Sequence, residues 1–288
     1  MAKCEICSSS DIKNLFKKDN YTYQQCRKCG LIRIYPQPSA KYLDGIYNGA
    51  YYENWGPSEA FFSEMKKKIF NRLLDMLPFK NVQNKRFLDI GAATGLMMET
   101  ARYRGFDVFG IEAALYGADI IKEKFGKDKI FNCYFDNTFK QKYPIENKFD
   151  VIVMSDLFEH LQNPGIMLDL ISELLNAGGY IIIAFPDTSS LSCKILGKHW
   201  PHFISEHLFS YSNRNICELL KKHSFDIISV KPQTKYLTMQ YTKCWFEART
   251  TPLDKLLLKL INLFPKFTLN YPIPVRIGQT AVIARKKL

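Results

Sequence analysis

One stretch decides the fold of this 288-residue chain: Phe87-Leu88-Asp89-Ile90-Gly91-Ala92-Ala93-Thr94-Gly95. A short apolar run passes directly into a turn of small residues bounded by two glycines, and a helical pattern follows. Such a turn presents backbone N–H groups and the positive end of a helix above the carboxyl edge of the strand. The stretch therefore predicts a ligand crevice at this edge.

The same alternation of strand and helix continues outward from this stretch. Apolar runs predict strands at 87–90, 106–111, 129–133, 149–154, 180–185, 225–230 and 280–285, and helical patterns occupy 95–104, 115–125, 164–176, 189–197 and 213–223. Nearly continuous apolar strands separated by helices are typical of a parallel sheet covered on both faces. The predicted fold class is α/β, with a doubly wound, mostly parallel sheet of seven strands.

The first thirty residues carry two Cys-x-x-Cys units, Cys4 with Cys7 and Cys26 with Cys29, separated by eighteen residues. This spacing is typical of a small zinc ribbon, in which four thiolates converge on a tetrahedral ion. A redox dithiol is the alternative. Because four thiolates leave no open coordination position, we expect a structural zinc and not a catalytic one.

Composition limits the class of protein. Lys and Arg outnumber Asp and Glu by 40 to 28, which gives a net charge of +12, but the lysines are spread along the whole chain. Net charge bears on association, so the positive charge has two explanations. It could bind an anionic partner such as RNA, but a solvated basic surface is the explanation that we favour. The N-terminus lacks the apolar core of a signal peptide and no apolar run is long enough for a transmembrane helix, so we expect a cytoplasmic protein.

An acidic residue, Glu112, ends the second strand, 21 residues after Gly91. A carboxylate at this place can accept both hydroxyls of a ribose. A dinucleotide site would require Gly-x-Gly-x-x-Gly, whereas the corresponding positions hold Ala93 and Leu96. The missing glycines disfavour a dinucleotide.

Asp89 before the loop, small residues within it and Glu112 after it together resemble the class I S-adenosylmethionine (SAM)-dependent methyltransferase family. The resemblance extends over residues 84–231 and includes Phe149-Asp150-Val151-Ile152 and the run from Ser155 to Pro164. It implies a Rossmann-like sheet in which the cofactor SAM is bound by Asp89, Gly91, Ala93, Gly95, Glu112, Phe135 and Ser155. Asp89 would organise the loop and the SAM amino group, Glu112 would hold the ribose, and Phe135 would flank adenine.

The four-Cys module narrows the resemblance to a bacterial branch whose core is similar to the ubiquinone-biosynthesis O-methyltransferases and which includes enzymes that methylate sugars or secondary metabolites. This implies three parts: a ribbon at 1–35, a linker and N-terminal helix covering the active site at 36–80, and a SAM-binding domain at 81–288. Near 235–275 the domain carries an amphipathic insertion, which we expect to pack on its own domain; a second subunit or a membrane surface are the alternatives.

Four residues are candidates for catalysis. Asp156, Glu159 and His160 follow the fourth strand at helical spacing, and His207 belongs to a second polar cluster. The ubiquinone-biosynthesis O-methyltransferases and the plant small-RNA 2'-O-methyltransferases carry a similar acid-x-x-Glu-His with a distant His, which there binds a divalent metal. Three interpretations stay open: a structural or substrate-shaping role, a general base, or a divalent metal at the active site.

The resemblance thus implies methyl transfer from SAM to a small-molecule acceptor, with a hydroxyl of a sugar or ring metabolite as the favoured target. An RNA methyltransferase that uses the ribbon and the basic surface is the first alternative, although we do not favour a nucleic-acid partner. A non-catalytic SAM-binding protein is the second. The sequence leaves the identity of the acceptor and the oligomeric state open.

Overall fold

The computed structural model describes residues 3–39, 59–144, 146–238, 258–265 and 273–288, together with residues 42, 45, 243 and 271. The chain forms two compact units: one comprises Met1–Pro232 and Gly278–Leu288, and the other comprises Gln233–Ile277. Within the segment at 36–80, Ser58, which the sequence predicts as the cap of the N-terminal helix, lies outside the described residues, and so do the linker aromatics Tyr47, Tyr51, Tyr52 and Trp55. None of the helices in the described ranges has the length and hydrophobicity needed to cross a bilayer.

The described strands and helices alternate along most of the chain. In chain order they are β1 (Ile12–Lys18), β2 (Tyr21–Cys26), β3 (Ile32–Tyr35), α1 (Glu59–Leu74), β4 (Arg86–Ile90), α2 (Leu96–Tyr103), β5 (Asp107–Ile111), α3 (Leu115–Phe125), β6 (Ile130–Phe131), α4 (Phe139–Lys142), β7 (Phe149–Ser155), α5 (Pro164–Leu174), β8 (Leu175–Pro186), α6 (Leu191–Leu196), β9 (Phe209–Ser210), α7 (Asn213–Lys222), β10 (Phe225–Leu237) and β11 (Ile273–Lys286). A 3-10 turn spans Phe158–His160.

Seven strands form the main sheet, in the order β10-β11-β8-β7-β4-β5-β6. β4 lies between β5 and β7 and is parallel to both, with Ile90 opposite Ile111 on one side and Met154 on the other. β11 pairs with β8 in the antiparallel sense. The predicted Rossmann-like, mostly parallel sheet of seven strands is confirmed, and the carboxyl ends of β4, β5 and β7 meet at one edge.

The apolar runs of the central strands are continuous because both faces of the sheet are buried. Phe87, Val151 and Ile182 belong to the core on one face, and their chain neighbours Leu88 and Ile152 belong to the core on the other; all five are fully buried. Burial on both faces removes the polar alternation expected of a half-exposed strand. The sequence pattern thus predicts the position of these strands well.

One strand begins earlier than its apolar run. We expected a helix to 176 and a strand from 180, whereas α5 ends at Leu174 and β8 starts at Leu175. Leu175 pairs with Phe149 and Tyr180 with Val151, so the residues between them bulge out of the ladder. Gly178, at φ 70°, permits this bulge. The residues at 177–179, expected as the turn between helix and strand, are therefore a bulged part of β8.

The four cysteines lie at one end of a second, smaller sheet. Strands β1, β2 and β3 pair in antiparallel sequence, and β9, which comes from the later part of the chain, adds the fourth strand against β3. The ribbon residues Ile6, Tyr23 and Ile34 are buried in the same core cluster as Phe209. The ribbon thus packs on the core as part of the first compact unit.

Candidate active site

The loop after β4 is tightly wound. Gly91, Ala93 and Gly95 all have positive φ angles, of 76°, 50° and 80°. The backbone N–H of Gly91 donates to the carbonyl of Ile111 at 2.9 Å, which joins the loop to the end of β5. A left-handed conformation costs an L-residue about 1–2 kcal/mol, so Ala93 occupies a place better suited to glycine.

Glu112 organises this loop. One of its carboxylate oxygens accepts the backbone N–H of Ala93 and the other accepts that of Ala114, each at 2.8 Å. Its own backbone carbonyl accepts from the Asn132 side chain. A carboxylate offers about four acceptor positions, so these two bonds are compatible with the ribose role that the sequence predicted. Glu112 also has a structural task, which spacing alone did not indicate.

Asp89 is buried beneath the loop, with 3% of its surface exposed. Burial raises the pKa of this carboxyl to about 7, and the nearby Glu112 acts in the same direction, whereas Lys66 on α1 opposes the shift. Desolvation disfavours the charged form of any carboxylate. The site therefore holds two acidic groups whose charge a cationic ligand would stabilise.

Helix α3 approaches the loop closely at Gly117. A β-carbon placed on this residue would lie 2.3 Å from the backbone oxygen of Ala93 and 3.1 Å from the Glu112 side chain. Only a residue without a side chain fits this gap. The sequence does not single out Gly117 as a residue that packs against the loop, because a lone glycine in a helical pattern carries no specific signal.

Replacement of Gly117 with alanine is expected to weaken SAM binding at least tenfold. The clash is with backbone, so the loop or the helix must shift, and overpacking of this kind also lowers the free energy of unfolding by about 1–3 kcal/mol. Calorimetric titration with SAM and thermal unfolding measure the two effects. Leu115→Ala, an exposed position of the same helix, is the control and should change neither; unchanged SAM affinity in Gly117→Ala would contradict the loop assignment.

Two further candidates for cofactor contacts lie on neighbouring elements. Ser155 is the last residue of β7, beside β4. Phe135 is buried in the segment after β6, where its ring packs edge-on against Phe139 at 5.6 Å between centroids. The adenine role of Phe135 and the role of Ser155 stay predictions.

The structure separates Asp156 from the other acid of the motif. Asp156 adopts a left-handed conformation, with φ 55°, before the 3-10 turn begins, and its side chain is exposed while Glu159 is buried. Its carboxylate accepts a hydrogen bond from the Gln279 side chain of β11. The helical spacing that placed both acids on one face does not apply, because the turn starts two residues later. No sequence signal links Gln279 to this site, which lies 123 residues away.

Glu159, His160 and His207 form a compact cluster. One potential ligand atom of each residue lies within 4.8 Å of those of the other two. His207 Nε2 is 3.9 Å from a carboxylate oxygen of Glu159, and the two imidazole rings meet edge-on at 4.7 Å. Burial lowers the pKa of His160 to about 4, although Asp156 and a backbone contact with Glu206 act against this. A neutral imidazole is the form that binds metal.

Backbone carbonyls orient both imidazoles. His207 Nδ1 lies 2.8 Å from the carbonyl of His202, and the backbone of Glu206 bonds to the His160 ring. Histidines that ligate metals usually donate their second ring N–H to such an acceptor. The segment 202–207, which we call the histidine loop, thus supplies one cluster residue and the acceptors that orient both rings. The sequence pointed to its polar side chains and not to its carbonyls.

The cluster adjoins the glycine loop through Leu157. A β-carbon on Gly91 would lie 3.1 Å from the Leu157 side chain, so the two segments are in contact. Leu157 stands directly between Asp156 and the turn that carries Glu159 and His160. The predicted cofactor loop and the candidate catalytic residues therefore lie together at the carboxyl edge of β4 and β7.

The four ribbon cysteines also converge. The Sγ atoms of Cys4 and Cys29 are 3.4 Å apart and those of Cys7 and Cys26 are 3.5 Å apart, and all four lie within 4.8 Å of one another. These distances far exceed the bond of about 2.05 Å in a disulfide. They approach the separation of about 3.8 Å that tetrahedral bonds of about 2.3 Å to zinc imply.

Comparison with known proteins identifies the family of the chain. The family model described as a methyltransferase domain matches residues 61–230. The chain is 27% identical over 179 residues to the mitochondrial ubiquinone biosynthesis O-methyltransferase of Dictyostelium discoideum, an alignment that covers 53% of this chain and 56% of that protein. The chain spans about half the length of the curated relatives it matches.

Solved structures share the fold. A Haloferax volcanii protein described as a methyltransferase, determined in complex with the Trm112 methyltransferase activator, superposes with a TM-score of 0.56 at 12% identity, over 82% of this chain and 97% of that one. A SAM-dependent methyltransferase from Archaeoglobus fulgidus gives 0.50 at 18% identity, over 78% and 94%. At such identities the likeness concerns the fold alone.

Proposed function

Because the chain belongs to the SAM-dependent methyltransferase family, we propose that it transfers the methyl group of SAM to a hydroxyl of a small acceptor, a ring metabolite or a sugar. One observation carries the proposal: the loop organised by Glu112 touches the segment that carries Glu159 and His160. Cofactor and acceptor would thus meet at one edge of the sheet. The name of the Dictyostelium relative, an O-methyltransferase of ubiquinone biosynthesis, favours a ring hydroxyl.

The cofactor side rests on Asp89, the glycine loop and Glu112. The buried carboxyl of Asp89 suits the SAM amino group, and the carboxylate of Glu112 suits its ribose. SAM supplies an activated methyl group on a sulfonium, so the chain contributes mainly placement of the acceptor and exclusion of water. Gly91, Ala93 and Gly95 keep the backbone close enough for such contacts.

The acceptor side is suited to a divalent metal. Glu159, His160 and His207 offer one carboxylate and two imidazoles, with ring orientation set by the histidine loop. Two imidazoles and one carboxylate favour Zn²⁺, Fe²⁺ or Mn²⁺ over Ca²⁺, and three protein ligands leave a position open. A bound ion would lower the pKa of the acceptor hydroxyl. Without it, His160 or His207 would serve as general base.

We further propose that Cys4, Cys7, Cys26 and Cys29 hold a structural zinc ion. The two knuckles share one backbone pattern: Ser8 and Gly30 are left-handed, and their N–H groups donate to the carbonyls of Cys4 and Cys26, each at 2.9 Å. Four converging thiolates leave no open position for a substrate. The zinc would therefore stabilise the ribbon and take no part in methyl transfer.

An acceptor screen tests the proposed reaction. The full chain is incubated with methyl-labelled SAM and a panel of catechols, other ring hydroxyls and sugars, and products are detected by a mass increase of one methyl group. Labelled ring or sugar ethers that form with the wild type, and more slowly with Glu112→Ala at limiting SAM, support the proposal. Binding of SAM and of its demethylated product is measured by calorimetry alongside the screen. If neither ligand binds, the proposed methyl transfer is wrong.

SAM binding near pH 7 is expected to release protons from Asp89. The pKa of this carboxyl is about 7 in the unliganded protein, and a neighbouring ammonium favours its charged form. The affinity for SAM should therefore increase as the pH rises through 7. Titrations in buffers of different ionisation enthalpy count the protons, and the difference between wild type and Asp89→Asn removes the titration of SAM itself. Equal proton release by both proteins would contradict the assignment.

A further inference from the structure

The ribbon sheet is completed by a strand of the core that lies next to His207. In the small sheet, Ile32 pairs with Ser210 and Arg33 with Phe209. The backbone N–H of Ile34 donates to the carbonyl of Leu208 at 3.2 Å. β9 consists of only two residues, so its backbone position is defined largely by the ribbon strand to which it is bonded. His207 immediately precedes this ladder.

The ribbon also holds the histidine loop itself. The ammonium of Lys18, the last residue of β1, donates to the backbone carbonyl of Phe203 at 2.6 Å. The ring of Phe203 packs against Phe16 and Tyr23, with centroids 5.1 and 5.2 Å away. Both ends of the segment from Phe203 to Phe209 are therefore attached to the ribbon.

A third connection reaches the metal knuckle directly. Asn215, fully buried at the start of α7, donates from its side chain to the carbonyl of Cys29 at 2.8 Å. The side-chain oxygen of the same residue accepts the backbone N–H of Ser212. Asn215 thus joins the second Cys-x-x-Cys unit to the chain that continues from β9.

We propose that the ribbon positions the histidine loop, and that Lys18 is a positioning residue for His207 and for the carbonyls of His202 and Glu206. The ribbon has only about thirty residues of its own, so four thiolates bound to one ion would contribute much of its order in addition to its packing on the core. Loss of zinc would release β3 and Lys18, and the loop would lose the partners that define its backbone. The inference rests on the proposed function for the roles of zinc and His207.

Hydrogen exchange in the full-length protein tests the coupling. In Lys18→Met, with zinc content confirmed at one ion per chain, amides of residues 203–210 should exchange at least tenfold faster than in the wild type. Amides of residues 87–112, which include the glycine loop, should change less than twofold. Lys17→Met, an exposed lysine of the same strand, is the matched control and should alter neither segment, whereas Lys18→Arg should restore the wild-type rates.

Ligand binding supplies a second readout. Mn²⁺ serves as the probe because thiolate sites prefer softer ions, and its affinity in Lys18→Met should fall at least tenfold while the affinity for SAM stays within twofold. Cys26→Ser should have the same effects on both segments if it folds. Unchanged exchange at 203–210, or an equal increase at 87–112, would overturn the inference, as would purified wild type without zinc.

The outcomes separate this inference from the proposed function. If the wild type neither binds Mn²⁺ nor methylates any acceptor, the proposed function fails, yet the exchange rates of 203–210 still decide whether the ribbon orders the loop. If methyl transfer is found and Lys18→Met leaves exchange and Mn²⁺ affinity unchanged, the proposed function stands and the positioning role is wrong.

Discussion

Replacing Glu112 with alanine is expected to weaken SAM binding by about 1–3 kcal/mol, because charge-assisted hydrogen bonds to the ribose are lost. The same substitution should lower the free energy of unfolding. It leaves the half-buried N–H groups of Ala93 and Ala114 without their carboxylate acceptor, and an unsatisfied donor costs up to about 1–3 kcal/mol when fully buried. Calorimetric titration with SAM and denaturant unfolding measure the two losses separately.

Two comparisons sharpen this prediction. Glu123→Ala, at an exposed position of α3, should leave SAM affinity and stability unchanged. Removal of the Glu112 charge should also bring the pKa of Asp89 down toward its ordinary value, since Glu112 contributes to the upward shift. Proton release on SAM binding at pH 7 should then be smaller than in the wild type. A variant that keeps full SAM affinity would remove the ribose assignment.

Substitution of Glu159 by glutamine is expected to lower the affinity for Mn²⁺ and the value of kcat/KM each by a factor of about 100 or more. The substitution removes the negative charge beside the imidazoles and keeps the shape of the side chain. Loss of a ligand would weaken both ion binding and polarisation of the acceptor hydroxyl. Asp156→Asn is the matched comparison. Its carboxylate lies outside the cluster and bonds to Gln279, so its Mn²⁺ affinity should stay within about threefold of wild type.

The two interpretations of the cluster differ in their response to chelator. Zinc in the ribbon is counted first, and activity is then measured with and without a chelator that leaves that zinc in place. Activity lost on chelation and restored by added metal supports a metal role for Glu159, His160 and His207. Activity that survives leaves the histidines as general bases, and equal loss of Mn²⁺ binding in Asp156→Asn and Glu159→Gln would contradict the separation of the two acids.

Much of the cofactor side could be predicted from sequence because its parts are local. The apolar run at 87–90 and the small residues after it predict a strand and a tight turn, and β4 spans Arg86–Ile90 with Gly91 and Gly95 left-handed. The position of Glu112 follows from the length of one strand–helix–strand unit. The hydrogen bond that the Glu112 carboxylate accepts from the loop depends on how closely β4 and β5 lie in the sheet. Residue spacing in the sequence does not predict it.

The acceptor side was harder to predict, since its residues come from distant parts of the chain. Spacing suggested that Asp156, Glu159 and His160 share one face of a helix, but the left-handed Asp156 ends β7 before a 3-10 turn and is held by Gln279. Glu159 and His160 meet His207, the distant candidate 47 residues after His160, and Asp156 is outside this group. Tertiary packing therefore decides that Glu159, and not Asp156, lies beside the histidines.

The sequence by itself determined the α/β fold, the glycine loop with Asp89 and Glu112, and the two Cys-x-x-Cys units, because each depends on residues close together in the chain. Only the tertiary structure decided that Asp156 is separated from Glu159 and that the ribbon pairs with β9 beside His207. These features arise where strands and loops distant in sequence come into contact, and backbone hydrogen bonds such as that from Ile34 to Leu208 carry no side-chain signature.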